Sequence, residues 1–149
     1  MQISTRGRYG LRAMVDMALH TNEGPLPLRV IAERQSISES YLEQVFTGLR
    51  KAGLVRASRG AQGGYELSRL AKEITVGEIL RALEGPIIPV HCVGDTDSGP
   101  RCERERICIT RSFWEDLRDK INDYLDSVTL LDLSERAREA MPEEPMYFI

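Results

Sequence analysis

Two short strand-like runs on either side of a glycine-rich turn constrain the fold of this chain more than any other feature. Residues 54–58 and 65–67 carry the β-type pattern, and the turn between them reads Arg59-Gly60-Ala61-Gln62-Gly63-Gly64. Glycine clusters between such runs are typical of a hairpin. Three segments of helical periodicity precede the turn. The chain therefore begins with three predicted helices and a small hairpin.

The three helical segments follow from apolar residues spaced three and four apart. The first covers residues 8–21, the second runs from Leu28 to about Gln35, and the third is capped by Ser38 and stopped by Gly53. This order predicts a winged helix-turn-helix, so the expected fold class is mainly α with a small β-hairpin. The inward stripe of the third helix consists of Leu42, Val45, Phe46 and Leu49.

A long helix is predicted over residues 108–128, after a helix that opens at Thr75-x-x-Glu78 and ends at Gly85-Pro86. Its apolar residues form a narrow seam, which favours a dimerisation helix. Packing on the domain's own core remains the alternative, because the seam is shorter than three heptads. The expected organisation is a DNA-binding-type domain at 1–84, a cysteine-bearing loop at 85–107, and a dimerisation helix with an apolar, docked tail at 108–149. The seam consists of Trp114, Leu117, Ile121, Tyr124, Val128 and Leu131.

The charge is unevenly distributed along the chain of 149 residues. Residues 1–67 carry nine Lys and Arg against six Asp and Glu, whereas residues 68–149 carry eleven against seventeen. Only the first half is therefore expected to meet a polyanion. No run approaches the roughly 20 apolar residues of a membrane span, and Met1-Gln2-Ile3-Ser4 is no signal peptide. We expect a cytoplasmic protein without a membrane partner.

The outward face of the third helix carries short or planar hydrogen-bonding side chains, with Gly48 where a backbone could approach a groove wall. Gln44 can pair with adenine, and an arginine at a glycine-rich tip suits a narrow minor groove. A solvated face and a simple tight turn are the plain alternatives. Together these features predict binding to double-stranded DNA. The candidate contacts are Arg6, Arg8, Ser38, Ser40, Tyr41, Glu43, Gln44, Lys51, Arg59 and Gly60, with Arg12 nearby.

All three cysteines of the chain lie within 17 residues: Cys92, Cys102 and Cys108. An odd number argues against a self-contained disulfide framework. Clustered thiols favour a metal or metal–sulfur centre, and buried or incidental thiols are the alternative. Zinc also accepts three cysteines and one histidine, although gaps of nine and five residues fit a zinc finger poorly. His91, beside Cys92, is one candidate fourth ligand, and an acid such as Asp95, Asp97, Glu103, Glu105 or Glu43 is another.

Several motifs resemble the IscR/NsrR/CymR-type family of winged-helix regulators. They are Ile3-Ser4-Thr5-Arg6-Gly7-Arg8-Tyr9-Gly10, Tyr41-Leu42-Glu43-Gln44, the segment 49–55, the wing sequence 59–65 and the segment 74–79. The resemblance spans residues 3 to about 133. It implies a homodimer on a palindromic operator, with recognition helices in successive major grooves and arginine wings in minor grooves.

The same resemblance bears on the cysteines, because cluster-binding members carry three of them just before or at the start of the dimerisation helix. It implies an iron–sulfur cluster on Cys92, Cys102 and Cys108, most simply [2Fe–2S], with [4Fe–4S] and zinc as alternatives. The gap from Cys92 to Cys102 exceeds the family's usual one. Where relatives place a histidine ligand this chain has Arg111, and where others recruit one from the partner's first helix it has Arg8 and Arg12.

We therefore predict a dimeric transcriptional regulator, a repressor rather than an activator, that senses iron–sulfur or redox status. A cluster-free or zinc-bound regulator of cysteine metabolism is the first alternative, since Gly85-Pro86-Ile87 and the 146–149 tail resemble the CymR branch. An electron carrier is a weaker alternative. The sequence has no dinucleotide fingerprint or acid/base constellation, so we do not expect an enzyme.

Overall fold

The protein is represented by a computed structural model that describes residues 1–94 and 102–142. Its helices are α1 (Thr5–Leu19), α2 (Leu28–Gln35), α3 (Glu39–Lys51), α4 (Val76–Glu84), α5 (Arg111–Ser127) and α6 (Leu130–Ala140), and its strands are β1 (Val55–Ser58) and β2 (Gly64–Leu67). Single-turn 3₁₀ helices lie at Thr21–Glu23, Ala71–Glu73 and His91–Val93. The predicted class, mainly α with a small hairpin, is confirmed. The 146–149 tail lies outside the described residues.

One hydrophobic core is formed by helices α1, α2, α3 and α4 together with the hairpin and the start of α6. Met14, Ile31, Phe46, Ile79 and Leu130 are almost completely buried in it. All four residues of the predicted α3 stripe are fully buried, which turns the polar face of this helix to solvent.

A buried carboxylate fixes α2 against α1. Asp16, which is 2% exposed, accepts hydrogen bonds from the Arg34 guanidinium at 3.0 and 2.6 Å and from the Gln35 amide at 2.8 Å. Hydrogen bonding to the Asp16 carboxylate raises the pKa of the Arg34 guanidinium above its ordinary value, although burial alone would lower it. After α2, Ser36 adopts φ of 54° and the Ser38 hydroxyl caps α3 by accepting from the Tyr41 N–H. The helix–turn–helix is thus held in a single orientation.

The hairpin is tied to the segment between α1 and α2. The antiparallel strands pair Val55 with Leu67 through Ser58 with Gly64, and Leu26 exchanges backbone hydrogen bonds of 2.9 and 2.8 Å with Tyr65. The backbone of Leu26 passes so near Gly64 that a Cβ there would lie 2.3 Å from its carbonyl carbon. The hairpin of β1 and β2, called the wing below, therefore pairs with a third segment at Leu26 that anchors it to the core.

α4 connects α1 with α5. It opens with the predicted Thr75/Glu78 capping box and ends at Gly85, whose φ is 78°. The Arg81 guanidinium donates to the Asn122 amide oxygen at 3.0 Å and to the Asp126 carboxylate. The two helices approach closely because no side chain projects from Gly77, where a Cβ would meet that carboxylate.

The long helix that carries the predicted dimerisation seam differs from the expectation in its bounds, and part of the seam packs on its own chain. α5 starts at Arg111 rather than at residue 108 and contains no buried residue. Val128 lies just after the helix, is only 7% exposed, and packs with Val76, Leu80 and Ile87 of its own chain, while Ile121 covers the same cluster. These two seam residues pack on their own domain because they bury the apolar side chains of α4. Tyr124, 60% exposed, remains outward together with Phe113, which the seam did not include. Trp114 and Leu117 are half-buried.

No helix in the described part of the chain is long and apolar enough to cross a membrane.

Candidate functional site

The polar face of α3 is open. Ser40, Glu43, Gln44 and Lys51 are exposed, as is Ser38 at the cap. Tyr41 is half-buried, with its ring edge-on to Tyr9 at 5.9 Å between ring centres. Tyr41 therefore supports the packing of α3 on α1 as well as lining the polar face. A helix with this distribution is able to present its outward side chains to a groove.

Arg6 lies across this helix face. Its Nη2 atom is 2.8 Å from the position that a Cβ of Gly48 would occupy. The two residues line an open groove of about 700 Å³ together with Gln44, Thr47 and Lys51. Gly48 thus makes room for an arginine of the same chain, a role that its sequence position did not reveal. The groove thus places the positive charges of Arg6 and Lys51 beside the Gln44 amide. The two cations are suited to DNA phosphates, and the amide is suited to the edge of a base.

The first turn of α1 is held by a carboxylate from α4. The Glu84 side chain accepts from the backbone N–H of Ser4 at 3.1 Å and of Gly7 at 3.0 Å, and from the Ser4 hydroxyl. Arg6 and Arg8, both exposed, belong to this turn. Sequence reasoning missed Glu84, because no local pattern links residues 77 positions apart.

Arg12 has a different environment from Arg6 and Arg8. Its guanidinium donates to the carbonyl of Gln35 and lies 5.3 Å from the centre of the Tyr9 ring. It therefore joins α1 to the end of α2. Arg6 and Arg8 are the better candidates for phosphate contacts.

The tip of the wing is shaped by its own turn. The Gly63 N–H donates to the Gly60 carbonyl at 3.0 Å, Gly60 has φ of 111°, and a Cβ at Gly63 would lie 2.6 Å from the Ser58 carbonyl oxygen. The glycines are thus required by the turn itself. Arg59 is exposed there and forms no hydrogen bond or ion pair within residues 1–94 and 102–142, so its charge is available to a ligand.

Two of the three cysteines flank α5. Cys92 is half-buried in the 3₁₀ turn His91–Val93, which is fixed because the Arg118 guanidinium donates to the Val93 carbonyl at 2.7 Å. Cys108 lies just before α5, with its Sγ 3.5 Å from the Thr110 hydroxyl. That hydrogen bond, a further one from the Thr110 N–H and the charge of Arg104 lower the pKa of the Cys108 thiol. A depressed thiol pKa favours the thiolate, the form that binds metal.

The described part of the chain does not gather these donors. Cys102 is exposed, and among residues 1–94 and 102–142 no three His, Cys, Asp or Glu side chains are close enough to hold a metal ion. The expected convergence of three thiols is therefore not seen within the described chain. Residues 95–101, with the candidate acids Asp95 and Asp97, lie outside the described residues. Thiolates remain the donors that iron–sulfur centres use.

The candidate fourth ligands differ in availability. His91 is exposed beside Cys92. Glu105 is paired with Arg111 at 3.2 Å, and the same guanidinium binds Glu115 at 2.9 Å. Arg111, which stands where relatives place a histidine ligand, is therefore engaged by two carboxylates. The His91 imidazole and the exposed Glu103 carboxylate form no hydrogen bond or ion pair with any described residue, whereas Glu105 is engaged.

Comparison with known proteins agrees with this architecture. Residues 3–136 match the family described as Rrf2, iron-dependent transcriptional regulator. The HTH-type transcriptional regulator IscR of Pectobacterium carotovorum subsp. carotovorum is 45% identical over 133 residues, which are 89% of this chain and 79% of that protein. The structure of T. potens IscR is 44% identical with a TM-score of 0.75, covering 99% of this chain and 97% of that one.

The structure of CymR, the global cysteine regulator of B. subtilis, is equally similar. It is 44% identical with a TM-score of 0.75 and covers 91% of this chain and 98% of that one. The resemblance expected from the sequence motifs is thereby confirmed. From its family match, its relatives and its winged helix-turn-helix, the chain belongs to the Rrf2 family of transcriptional regulators.

Proposed function

We propose that this regulator binds operator DNA with α3 in the major groove and the wing in the adjacent minor groove. The observation that carries the proposal is the placement of Arg6 across α3 beside Gln44 and Lys51. In that arrangement Gln44 reads a base edge while the two cations contact phosphates. Arg59 enters the minor groove, where the negative potential is strongest. The exposed Ser38, Ser40 and Glu43 border the same surface.

The proposed assembly is a homodimer formed through the outer side of α5. Phe113 and Tyr124 are 58% and 60% exposed, and Ile107 and Ile109, before the helix, are 68% and 96% exposed. Large exposed apolar side chains on α5 and just before it favour a protein partner, and a two-fold pair of α3 helices matches a palindromic operator. Its half-sites are about 34–36 Å apart, one helical turn of DNA. The half-buried Trp114 and Leu117 of the same helix would extend this dimer contact toward the domain.

The proposed sensor is an iron–sulfur cluster, [2Fe–2S] in the simplest case, held by Cys92, Cys102 and Cys108. When bound, the group supplies a redox-sensitive link between the 85–107 loop and α5. The chain's own contacts carry that link to DNA. Arg118 joins the Cys92 turn to α5, Arg81 joins α5 to α4, and Glu84 joins α4 to the turn that bears Arg6. Ordering of the loop would then shift the position of the DNA-binding elements and give repression.

A second function has specific support. The protein is also a candidate for a cluster-free or zinc-bound regulator of cysteine metabolism. Its structure is as similar to the cysteine regulator CymR as to T. potens IscR, and the described residues contain no assembled three-donor group. In this alternative the thiols do not bind iron, although the DNA interface is the same.

One anaerobic experiment separates the two. The protein is purified without oxygen, and its visible absorbance, iron and acid-labile sulfide are measured for the wild type and for Cys92→Ala, Cys102→Ala and Cys108→Ala. The proposal expects a coloured wild type with iron and sulfide, and colour lost in each variant. A colourless wild type after reconstitution with iron and sulfide, or colour kept in all three variants, would refute the cysteine-held cluster. A protein that takes up zinc and no sulfide supports the alternative.

DNA recognition is tested separately. A duplex selected from a random pool is titrated with wild type, Gln44→Ala and the matched Gln62→Ala, in which an exposed amide is removed from the wing instead. We expect Gln44→Ala to weaken the selected duplex by about tenfold and to relax specificity at one base pair. Equal weakening of all duplexes would contradict a base contact by Gln44.

A further inference from the structure

A cavity of about 680 Å³ lies on the domain apart from both the DNA-facing groove and the cysteines. Its walls come from the end of α1, strand β2, the 3₁₀ turn Ala71–Glu73 and α6. The volume falls in the range of small-molecule sites, which is about 300–1,000 Å³. None of the candidate DNA contacts or cysteines lines it. The apolar part of the lining includes Met17, Leu26, Leu67, Ala71 and Leu131.

The charges at its rim are mostly already paired. Arg69 is bound to the Glu78 carboxylate at 2.8 Å and Arg56 lies 3.7 Å from that of Glu66. The Glu73 carboxylate accepts from the Leu70 N–H at 3.2 Å. The carboxylates of the lining are therefore engaged by the chain's own donors.

Lys72 and Arg138 are the exception. Both side chains line the cavity and are exposed, and neither forms a hydrogen bond or ion pair with any described residue. One comes from the 3₁₀ turn and the other from α6, so two separate elements present a free cation at one opening. An apolar lining with two uncommitted positive charges complements an anionic head on an apolar body.

The position of the cavity connects it to the wing. Tyr65, Glu66 and Leu67 of β2 form part of its wall, and Leu26, also in the wall, holds the hairpin through its backbone hydrogen bonds to Tyr65. A molecule in the cavity would therefore contact both segments that anchor the wing. On the proposed function, occupancy would change the freedom of Arg59 at the tip of that hairpin.

We propose that this cavity binds a small amphipathic anion, a carboxylate attached to an apolar chain, and that the occupied state alters the wing. The carboxylate lies between Lys72 and Arg138, and the apolar chain lies along Leu67 and Leu131. This site is a second input to the regulator. Binding itself needs neither the cluster nor the DNA interface, and only the effect on the wing rests on the proposed function.

The test uses octanoate as the anionic probe and 1-octanol as a neutral probe of equal chain length. Binding to the full chain is followed by calorimetry and by amide chemical-shift changes. We expect octanoate to bind with a dissociation constant of about 1 mM or lower, and octanol about tenfold more weakly. The shifts should concentrate in β2 and in residues 71–73. Equal affinities for the two probes, or shifts spread over the whole surface, would overturn the proposal.

Two charge variants and a matched control identify the site. Lys72→Gln and Arg138→Gln should each weaken octanoate about threefold and together about tenfold, whereas Arg136→Gln, on the same helix but outside the lining, should leave it unchanged. Circular dichroism establishes that every variant is folded. If the double variant binds octanoate like the wild type, the assigned anion site is wrong. It is also wrong if octanoate binds only a chain shortened to residue 142, because the chain's own terminus then fills the cavity.

The effect on DNA distinguishes this proposal from the proposed function. Octanoate should change the affinity for the selected duplex in the wild type and not in Arg59→Ala. If octanoate binds at this site but leaves DNA affinity unchanged, the cavity has no regulatory role. The proposed DNA binding by α3 is not affected by that result. If Gln44→Ala no longer binds DNA, the result supports the role of α3, and the affinity for octanoate should stay at the wild-type value because Gln44 does not line the cavity.

Discussion

Substitution of Glu84 by alanine tests the link between α4 and the end of α1 that we propose faces DNA. The carboxylate accepts from two backbone N–H groups at the start of α1, those of Ser4 and Gly7. Loss of a capping acceptor costs about 1 kcal/mol, and loss of a negative charge beside a helix N-terminus costs about 0.3–1 kcal/mol more. We therefore expect Glu84→Ala to lower the free energy of unfolding by about 1–2 kcal/mol.

The measurement is urea unfolding followed by circular dichroism. A slope of about 2 kcal/mol per molar urea converts this loss into a midpoint about 0.5–1 M lower, with the slope unchanged. Affinity for the selected duplex should fall about three- to tenfold as well, because Arg6 and Arg8 lie on the turn that loosens. Glu84→Gln retains an acceptor oxygen and should lie between the wild type and Glu84→Ala.

Glu73→Ala provides the matched control, since Glu73 also accepts from a backbone N–H, that of Leu70, but at a turn away from α3. It should leave DNA affinity unchanged. If Glu84→Ala unfolds at the wild-type midpoint, the capping role assigned to Glu84 is wrong. If it is destabilised but binds DNA like Glu73→Ala, the first turn of α1 does not position the DNA contacts.

Three further predictions concern the wing, a glycine of α3 and a helix cap. Arg59→Ala should weaken DNA binding and reduce the slope of log affinity against log salt by about one, whereas identical titrations for both proteins would refute the contact. Gly48→Ala should raise the unfolding free energy by up to about 1 kcal/mol yet weaken DNA binding, because the new Cβ displaces Arg6; unchanged affinity would show that the position of Arg6 is unimportant. The N–H of Thr129 donates to the Asp132 carboxylate and holds the pKa of Asp132 below its ordinary value of 3.8. The ionised Asp132 therefore stabilises the fold fully above the pKa that this carboxyl has in the unfolded chain. The stabilisation disappears as the pH falls through its lower pKa in the folded chain. Asp132→Asn should accordingly be less stable than the wild type in urea at pH 7, with a difference that shrinks as the pH falls through the lowered pKa of Asp132; a constant difference would contradict the ionic cap.

Local signals in the sequence predicted most of the fold. Ser38 caps α3 and Thr75 forms a capping box with Glu78, as the sequence predicts. Gly53 and Gly85 end helices with positive φ. These features depend on residues within four positions of one another, so a single sequence contains the whole signal.

The sequence is less informative where partners are distant and at the start of α5. The 3,4 spacing of apolar residues in α5 predicts a stripe, but it does not say which neighbour covers the stripe. Val128 and Ile121 of the predicted seam pack beside Val76 and Leu80 of their own chain, which is the alternative that the sequence left open. The start of α5 was placed three residues early, because the turns before Arg111 carry a helix-like pattern.

The candidate site shows the same division. Exposure of the polar face of α3 follows from burial of the opposite stripe, so that Gln44 and Lys51 could be found from sequence. The roles of Gly48 and Glu84 depend on packing between α1, α3 and α4, which no single segment encodes. The clustering of the three cysteines indicated ligation, but Cys102 and Cys108 are separated from Cys92 by residues 95–101, which lie outside the described residues.

The most direct test of the account is DNA affinity measured with and without the cluster in the same preparation. Anaerobically reconstituted protein, with iron and sulfide quantified, is titrated onto the selected duplex before and after removal of iron by a chelator, and Cys108→Ala is treated in parallel. We predict that removal of iron changes the affinity of the wild type by about tenfold or more and leaves that of Cys108→Ala unchanged. Equal affinity of the loaded and iron-free wild type would contradict it.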